Sequence, residues 1–134
     1  MDYVPLQVKT SYSLLSSLNN IEKLVSLAKN LGYTSLAITD SNMFGAIEFY
    51  KCCLKHQIKP IIGLELTISD SIIILYAKNE LGYKTLIKLS TLASERNLKI
   101  DDLQDFVNVV LVMPFQSFNE KIFIKCRNIL KKVC

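Results

Sequence analysis

The apolar run Leu36-Ala37-Ile38 ends on Thr39-Asp40, a polar turn of Ser41-Asn42-Met43 follows, and a helical pattern begins at about Phe44. This order predicts a strand, a tight turn and a helix, with a carboxylate at the C-terminal end of the strand. α/β folds place their chemistry at that position. The flanking segments repeat the alternation. Val4, Leu6 and Val8 alternate with Pro5, Gln7 and Lys9, a strand pattern that tolerates a proline near its start. Asn19 is placed to cap a helix, with Glu22 three residues on, and Ile21, Leu24, Val25, Ala28 and Leu31 form its apolar stripe. Gly32 stands where a C-terminal helix glycine belongs. The helix from Phe44 to His56 carries Phe44, Ile47, Tyr50 and Leu54 at helical spacing, Pro60 blocks its continuation, and Ile61-Ile62-Gly63 reads as a third strand. Strand, helix, strand, helix, strand is the order of parallel strands joined by crossover helices.

The second half differs. Leu64 to Ser69 alternates, and Asp70-Ser71 reads as a turn into Ile72 to Tyr76, which makes a hairpin. Asn79 caps a helix from Glu80 to about Ala93, with Leu86, Leu89 and Ala93 inward. Ser94 to Leu98 reads as a loop, and Asp101-Asp102-Leu103 as one helical turn. Val107 to Met113 reads as a strand ended by Pro114, and a final amphipathic helix carries Phe118, Ile122, Cys126, Ile129, Leu130 and Val133. The expected class is α/β: parallel strands with crossover helices, plus a hairpin.

At 134 residues with half of them hydrophobic, the chain can bury a core. Its charged fraction of 21% is low, which points to a surface covered by something else. The net charge of +4 fits an ordinary cytoplasmic protein as well as a nucleic-acid partner. The longest plainly apolar run, Ile72 to Ala77, is far too short to span a bilayer, and the acidic start and the interruptions at Pro5, Gln7 and Lys9 do not make a signal peptide. Cys52, Cys53, Cys126 and Cys134 have no C-x-x-C spacing, so reduced thiols are expected. Cys52 and Cys53 are neighbours that face different ways on a helix, which argues against a metal pair.

Four stretches carry a resemblance. Tyr3 to Leu15 is similar to F-V-H-L-H-V-H-S-x-Y-S-L-L, and Ala37 to Tyr50 to A-L-T-D-H-G-N-x-F-G-A-x-E-F-Y. Ile58 to Glu65 is similar to I-K-P-I-I-G-x-E, and Leu75 to Ser90 to L-A-K-N-x-x-G-Y-x-N-L-x-x-L-S. Together they resemble the N-terminal PHP (polymerase and histidinol phosphatase) domain of bacterial DNA polymerase III alpha subunits. The resemblance implies a distorted β/α barrel. A complete barrel takes more than about 200 residues, so residues 1–134 are expected to form its N-terminal portion, without the polymerase domains. It further implies that DNA synthesis, with magnesium, belongs to a parent chain. The expected partners are that chain's remaining domains and, through it, DNA and other replisome subunits.

Active sites of this family hold divalent metals between histidines and carboxylates, ligands suited to zinc and manganese. By the same resemblance, two ligand histidines fall at Gln7 and Lys9, the histidine before them at Pro5, and the T-D-H-G histidine at Ser41, in a turn one residue shorter. Asp40 and Glu65 survive. A charged ammonium has no lone pair to donate, so the site positions Gln7, Lys9, Asp40, Ser41 and Glu65 are expected to be vestigial, with no metal and no catalytic residue. Lys9 is expected to take the vacated place and neutralise Asp40 or Glu65. Alternatively, Asp40 caps the following helix and Glu65 is an exposed hairpin residue. The sole histidine, His56, reads as an ordinary surface residue. Tyr12 reads as packing, and no nucleophile–base pair is visible. Lys121, Lys125, Asn128 and Lys132 share a stripe with Arg127 and Lys131 adjacent; a solvated face is the reading, phosphate contact the sharper one. Two other readings stay open: a free-standing metal-dependent PHP phosphoesterase or 3'-5' exonuclease, and an unrelated small α/β binding module.

Overall fold

A computed structural model describes residues 3–12, 20–103 and 108–131. The chain divides into two compact units, residues 1–64 and 65–134.

In the first unit, helix α1 (Ile21–Asn30) is followed by strand β1 (Ser35–Ile38), helix α2 (Ala46–Lys55) and the start of strand β2 (Lys59–Ile68). β1 and β2 pair in parallel from Ser35 with Lys59 to Ile38 with Ile62, so α2 is a crossover helix as expected. α1 is capped by Asn20, whose side chain accepts from the amides of Glu22 and Lys23; the expected cap, Asn19, lies outside the described residues. The helix ends at Leu31, and Gly32 follows with φ +83°, the left-handed turn for which glycine is suited. Ile21, Val25 and Ala28 are buried, whereas Leu31 is exposed. The core of this unit is filled by these side chains with Leu36, Ile38 and Phe49, all nearly inaccessible.

Tyr3 to Val8 does not form the expected strand. A backbone link is made by the Thr39 amide to the Val8 carbonyl, 2.7 Å. The Val8 amide is taken by the Thr39 hydroxyl oxygen at 2.9 Å, not by a backbone carbonyl. A side chain thus substitutes for one rung of the ladder, and Pro5 has no amide to offer another.

β2 is longer than expected: the two predicted strands at 61–63 and 64–69 are one, and Pro60 lies inside it. The second unit contains the end of β2, β3 (Ser71–Ala77), α3 (Glu80–Glu95), β4 (Val109–Val112) and α4 (Glu120–Lys131). β2 is bonded to β3, and β3 pairs antiparallel with β4 from Ile74 with Val112 to Ala77 with Val109. The hairpin turn is Ser69-Asp70, one residue earlier than expected, with φ of +49° and +66°. Two successive left-handed residues match the twist of a two-residue hairpin, and the hairpin geometry overrides the preference of Ser and Asp for other conformations. α3 starts at Asn79 as predicted, whose side chain accepts from the Gly82 amide at 3.1 Å, and Leu86 and Leu89 are buried. Ile122 and Cys126 of α4 are buried; Phe118 lies before the helix and is exposed, and residues 132–134 lie outside the described residues. Lys121, Lys125, Arg127 and Asn128 are exposed, as a solvated face requires.

Arg96 closes the end of α3 against a short 3-10 turn, Ile100–Leu103. Its guanidinium donates to both carboxylate oxygens of Asp102, at 2.8 and 2.5 Å, and the Lys99 amide adds a bond of 2.7 Å. Arg96, and then the Lys99 amide, hold the Asp102 carboxyl down at about 2. A carboxyl depressed on folding contributes stability that is complete above its unfolded value near 4 and is lost as pH falls towards 2. Thermal melting of the wild type from pH 5 to 2 should therefore fall more steeply than that of Asp102→Asn. Parallel curves would show that the pair contributes nothing.

Candidate functional site

Asp40 leaves the end of β1 and is 1% exposed. A buried carboxylate is costly unless hydrogen-bonded. Here Thr10, itself 0% exposed, supplies both donors: its amide to Oδ1 at 2.6 Å and its hydroxyl to Oδ2 at 2.5 Å. The same hydroxyl oxygen accepts from the Tyr12 amide at 3.2 Å. The Tyr12 phenol donates to Glu48 on α2 at 2.7 Å, and the Glu48 carboxylate raises the phenol above its ordinary value. The Tyr12 carbonyl accepts from the Asn42 side chain at 2.7 Å, while the other end of that amide accepts from the Phe44 backbone at 3.1 Å. A β-carbon on Gly45 would lie 2.8 Å from the Tyr12 ring, so glycine there leaves room for the ring beside the start of α2. Thr10, Tyr12, Asp40, Asn42 and Glu48 thus form one network that ties the N-terminal segment to the β1–α2 turn.

Two expectations change. Asp40 does not cap α2: the capping position is Gly45, with no side-chain bond, and the turn's amide is taken by Asn42. Tyr12, read as packing, is exposed and serves as a hydrogen-bond tie. Of the other predicted positions in this unit, Gln7 and Ser41 are exposed and Lys9 is half-buried. Glu65 opens the second unit, half-buried on β2. Sequence reading passed over Thr10, because its partner is thirty residues away.

The residues present do not fit the divalent ions of a PHP centre. Gln7 and Lys9 offer no imidazole, and each oxygen of Asp40 already accepts a hydrogen bond from Thr10.

A second cluster lies between α1 and α2. Cys52 and His56 are four residues apart on α2 and share a face, against Glu22 in the first turn of α1. The Cys52 thiol donates to Glu22 Oε2 at 3.0 Å, and His56 Nε2 lies 3.0 Å from Oε1. Lys55 Nζ approaches the same Oε1 at 3.7 Å. Burial, and then the Glu22 carboxylate, push the Cys52 thiol up to about 11; the donating thiol, and then His56, hold Glu22 down at about 2. His56, read as an ordinary surface residue, is partly buried and faces Glu22, and the thiol, kept protonated, is a poor nucleophile.

The PHP domain family model matches residues 5–117. The DNA polymerase III subunit alpha of Bacillus subtilis is 45% identical over 105 residues, covering 72% of this chain and 9% of that protein. That of Mycoplasma genitalium is 39% identical over 114 residues, covering 81% of this chain and 13% of that one. The chain thus spans about a tenth of the length of these relatives. A crystal structure of a Bifidobacterium adolescentis protein, assigned as a metal-dependent phosphoesterase, aligns with a TM-score of 0.50 at 14% identity over 66% of this chain and 31% of that one. The likeness supports the mixed α/β fold alone. Together with the strand–turn–helix at Asp40, the family match over most of the chain has one consequence: the chain belongs to the PHP domain family.

Proposed function

We propose that this chain is a structural, metal-free PHP segment of a DNA polymerase III alpha subunit, in which it packs against and stabilises the remaining domains. Template-directed DNA synthesis with magnesium, the contacts to DNA and replisome subunits, and a cytoplasmic location belong to the parent chain in this reading. No helix among the described residues is long and apolar enough to cross a membrane. Lys9 and Gln7 replace ligands, and Asp40 serves architecture through Thr10.

The observation that carries the docking role is the outer face of α2. Ala46, Phe49, Cys52 and Cys53 are buried, yet the other stripe of the same helix, with Phe44 just before it, is apolar too. Phe44, Ile47, Tyr50 and Leu54 are 79, 60, 47 and 54% exposed. A helix apolar on both sides belongs in the interior of a larger body, and a contiguous exposed apolar stripe marks a contact surface. The relatives' much greater length supplies the partner: the rest of the same polypeptide.

Ile47→Gln and Leu54→Gln should leave the melting temperature of the 134-residue chain almost unchanged. Each should destabilise the longer polymerase chain by about 1.5–3 kcal/mol, the cost of losing one buried aliphatic side chain. Differential scanning calorimetry of both lengths is the measurement; equal, small effects in both would remove the docking role. Manganese-dependent hydrolysis of a phosphoester or of single-stranded DNA that disappears in Asp40→Asn would instead establish the phosphoesterase or exonuclease reading.

A further inference from the structure

The geometry points to a zinc-class metal site formed by Glu22, Cys52 and His56, separate from the PHP positions and independent of the docking role. One ligand atom from each residue lies within 4.8 Å of the other two; the thiol is 3.0 Å from one Glu22 oxygen and the imidazole Nε2 is 3.0 Å from the other. A tetrahedral zinc ion with S, N and O ligands sets its ligand atoms about 3.3–3.6 Å apart, from bond lengths of about 2.0–2.3 Å. The two carboxylate oxygens face the thiol and the imidazole separately, so the carboxylate must turn to set one oxygen between them when an ion binds. Thiolate, imidazole and carboxylate together select zinc, cobalt or cadmium over magnesium and calcium, which take oxygen donors. Three protein ligands leave a fourth position, and the exposed Glu22 beside the partly buried His56 opens it to water.

Two helices fix the frame. Cys52 and His56 are held by the pitch of α2, and Glu22 by the first turn of α1, whose cap and buried Ile21 set its rotation. The hydrogen bonds seen here hold the ligand atoms in place as protons would in an unloaded site. When the ion binds, the Cys52 sulfur–hydrogen bond breaks, the proton leaves to solvent, and sulfur donates its pair to the metal. His56 binds through Nε2 with its proton on Nδ1. Three neighbours bear on the balance: Lys55 opposes a cation, Glu48 favours one, and Cys53, buried on the next position of α2, is turned inward. The thiol's raised value means that the ion must compete with a firmly held proton.

The test is a titration of the reduced full chain with cobalt(II), followed by displacement with zinc. The expected result is one cobalt per chain with a thiolate-to-cobalt charge-transfer band and intense tetrahedral d–d absorption, both abolished by equimolar zinc. Cys52→Ser should remove the charge-transfer band, whereas Cys53→Ser and Asp40→Asn should keep it. Glu22→Gln should weaken binding by at least about tenfold. Lys55→Ala, at an exposed position that leaves the fold intact, should tighten it. Absence of the band in the wild type at millimolar cobalt overturns the proposal, as does a band that survives Cys52→Ser. Cobalt d–d absorption without a charge-transfer band, lost in Asp40→Asn but kept in Cys52→Ser, would place the metal at the PHP positions, and would count against the metal-free reading as well.

Discussion

Gly82→Ala is expected to destabilise the chain by about 3 kcal/mol, lowering its melting temperature by roughly 10 °C. The sign is the informative part. In an ordinary helix the same change stabilises by about 1 kcal/mol, because alanine is the better helix former. Gly82 lies in the first turn of α3, is buried and has no unusual dihedral; what it lacks is room. A β-carbon there would stand 2.2 Å from the Asn108 carbonyl oxygen and 3.2 Å from the Ala77 Cα. Neither side can retreat cheaply. The Asn108 carbonyl is bonded to the Lys78 amide at 2.8 Å, next to the Ala77–Val109 rung of β3 and β4. The helix start is held by Asn79, which takes the Gly82 amide itself. Thermal unfolding of the variant decides the matter: an unchanged or higher melting temperature would mean that the close approach of α3 to Asn108 is not maintained in solution.

Asp40→Ala should cost about 4 kcal/mol and Asp40→Asn only about 1. The alanine variant leaves the Thr10 amide and hydroxyl, both buried, without acceptors, and each such orphan costs about 1–3 kcal/mol. The asparagine oxygen still accepts from the Thr10 amide, and its NH2 group can donate to a rotated Thr10 hydroxyl, so most of the network survives the loss of charge. Equilibrium denaturation of the three chains measures this. Equal losses in the two variants would show that the charge itself is required. The pair of substitutions also separates architecture from ligation, because a carboxylate that held a metal would be disabled by asparagine as thoroughly as by alanine.

Much of the fold was legible from local chemistry. Asn79 before an apolar periodic segment marked the start of α3, and Gly32 marked the end of α1. The order of elements around Asp40 announced a parallel pair with a crossover helix. The family words in residues 3–90 announced the PHP fold, and the family model's match to residues 5–117 agrees. Other features were not legible, each for a physical reason. α2 is apolar on two sides, so periodicity could show that it was a helix but not which stripe its own unit would bury. Its buried face is set by contact with α1 and β1. Ser69-Asp70 carries no glycine, and only the pairing of β2 with β3 forces both residues into the left-handed region. Pro60 stops the helix, as its missing amide requires, but that same lack is tolerated near the first residue of a strand, so the sequence does not show that β2 begins before it.

The two candidate sites divide along the same line. That Gln7 and Lys9 cannot ligate a metal as imidazoles do is a matter of side-chain chemistry, and it follows from residue identity alone. So does the four-residue spacing of Cys52 and His56, since helical pitch puts such pairs on one face. Which groups meet across distance is another matter. Thr10 reaches Asp40 over thirty residues of sequence, and Glu22 reaches Cys52 across the same span, because α1, β1 and α2 pack about one core. Hydrophobic burial, which is not directional, brings those elements together. The hydrogen bonds it then permits determine which carboxylate ties down the N-terminal segment and which one faces a thiol and an imidazole.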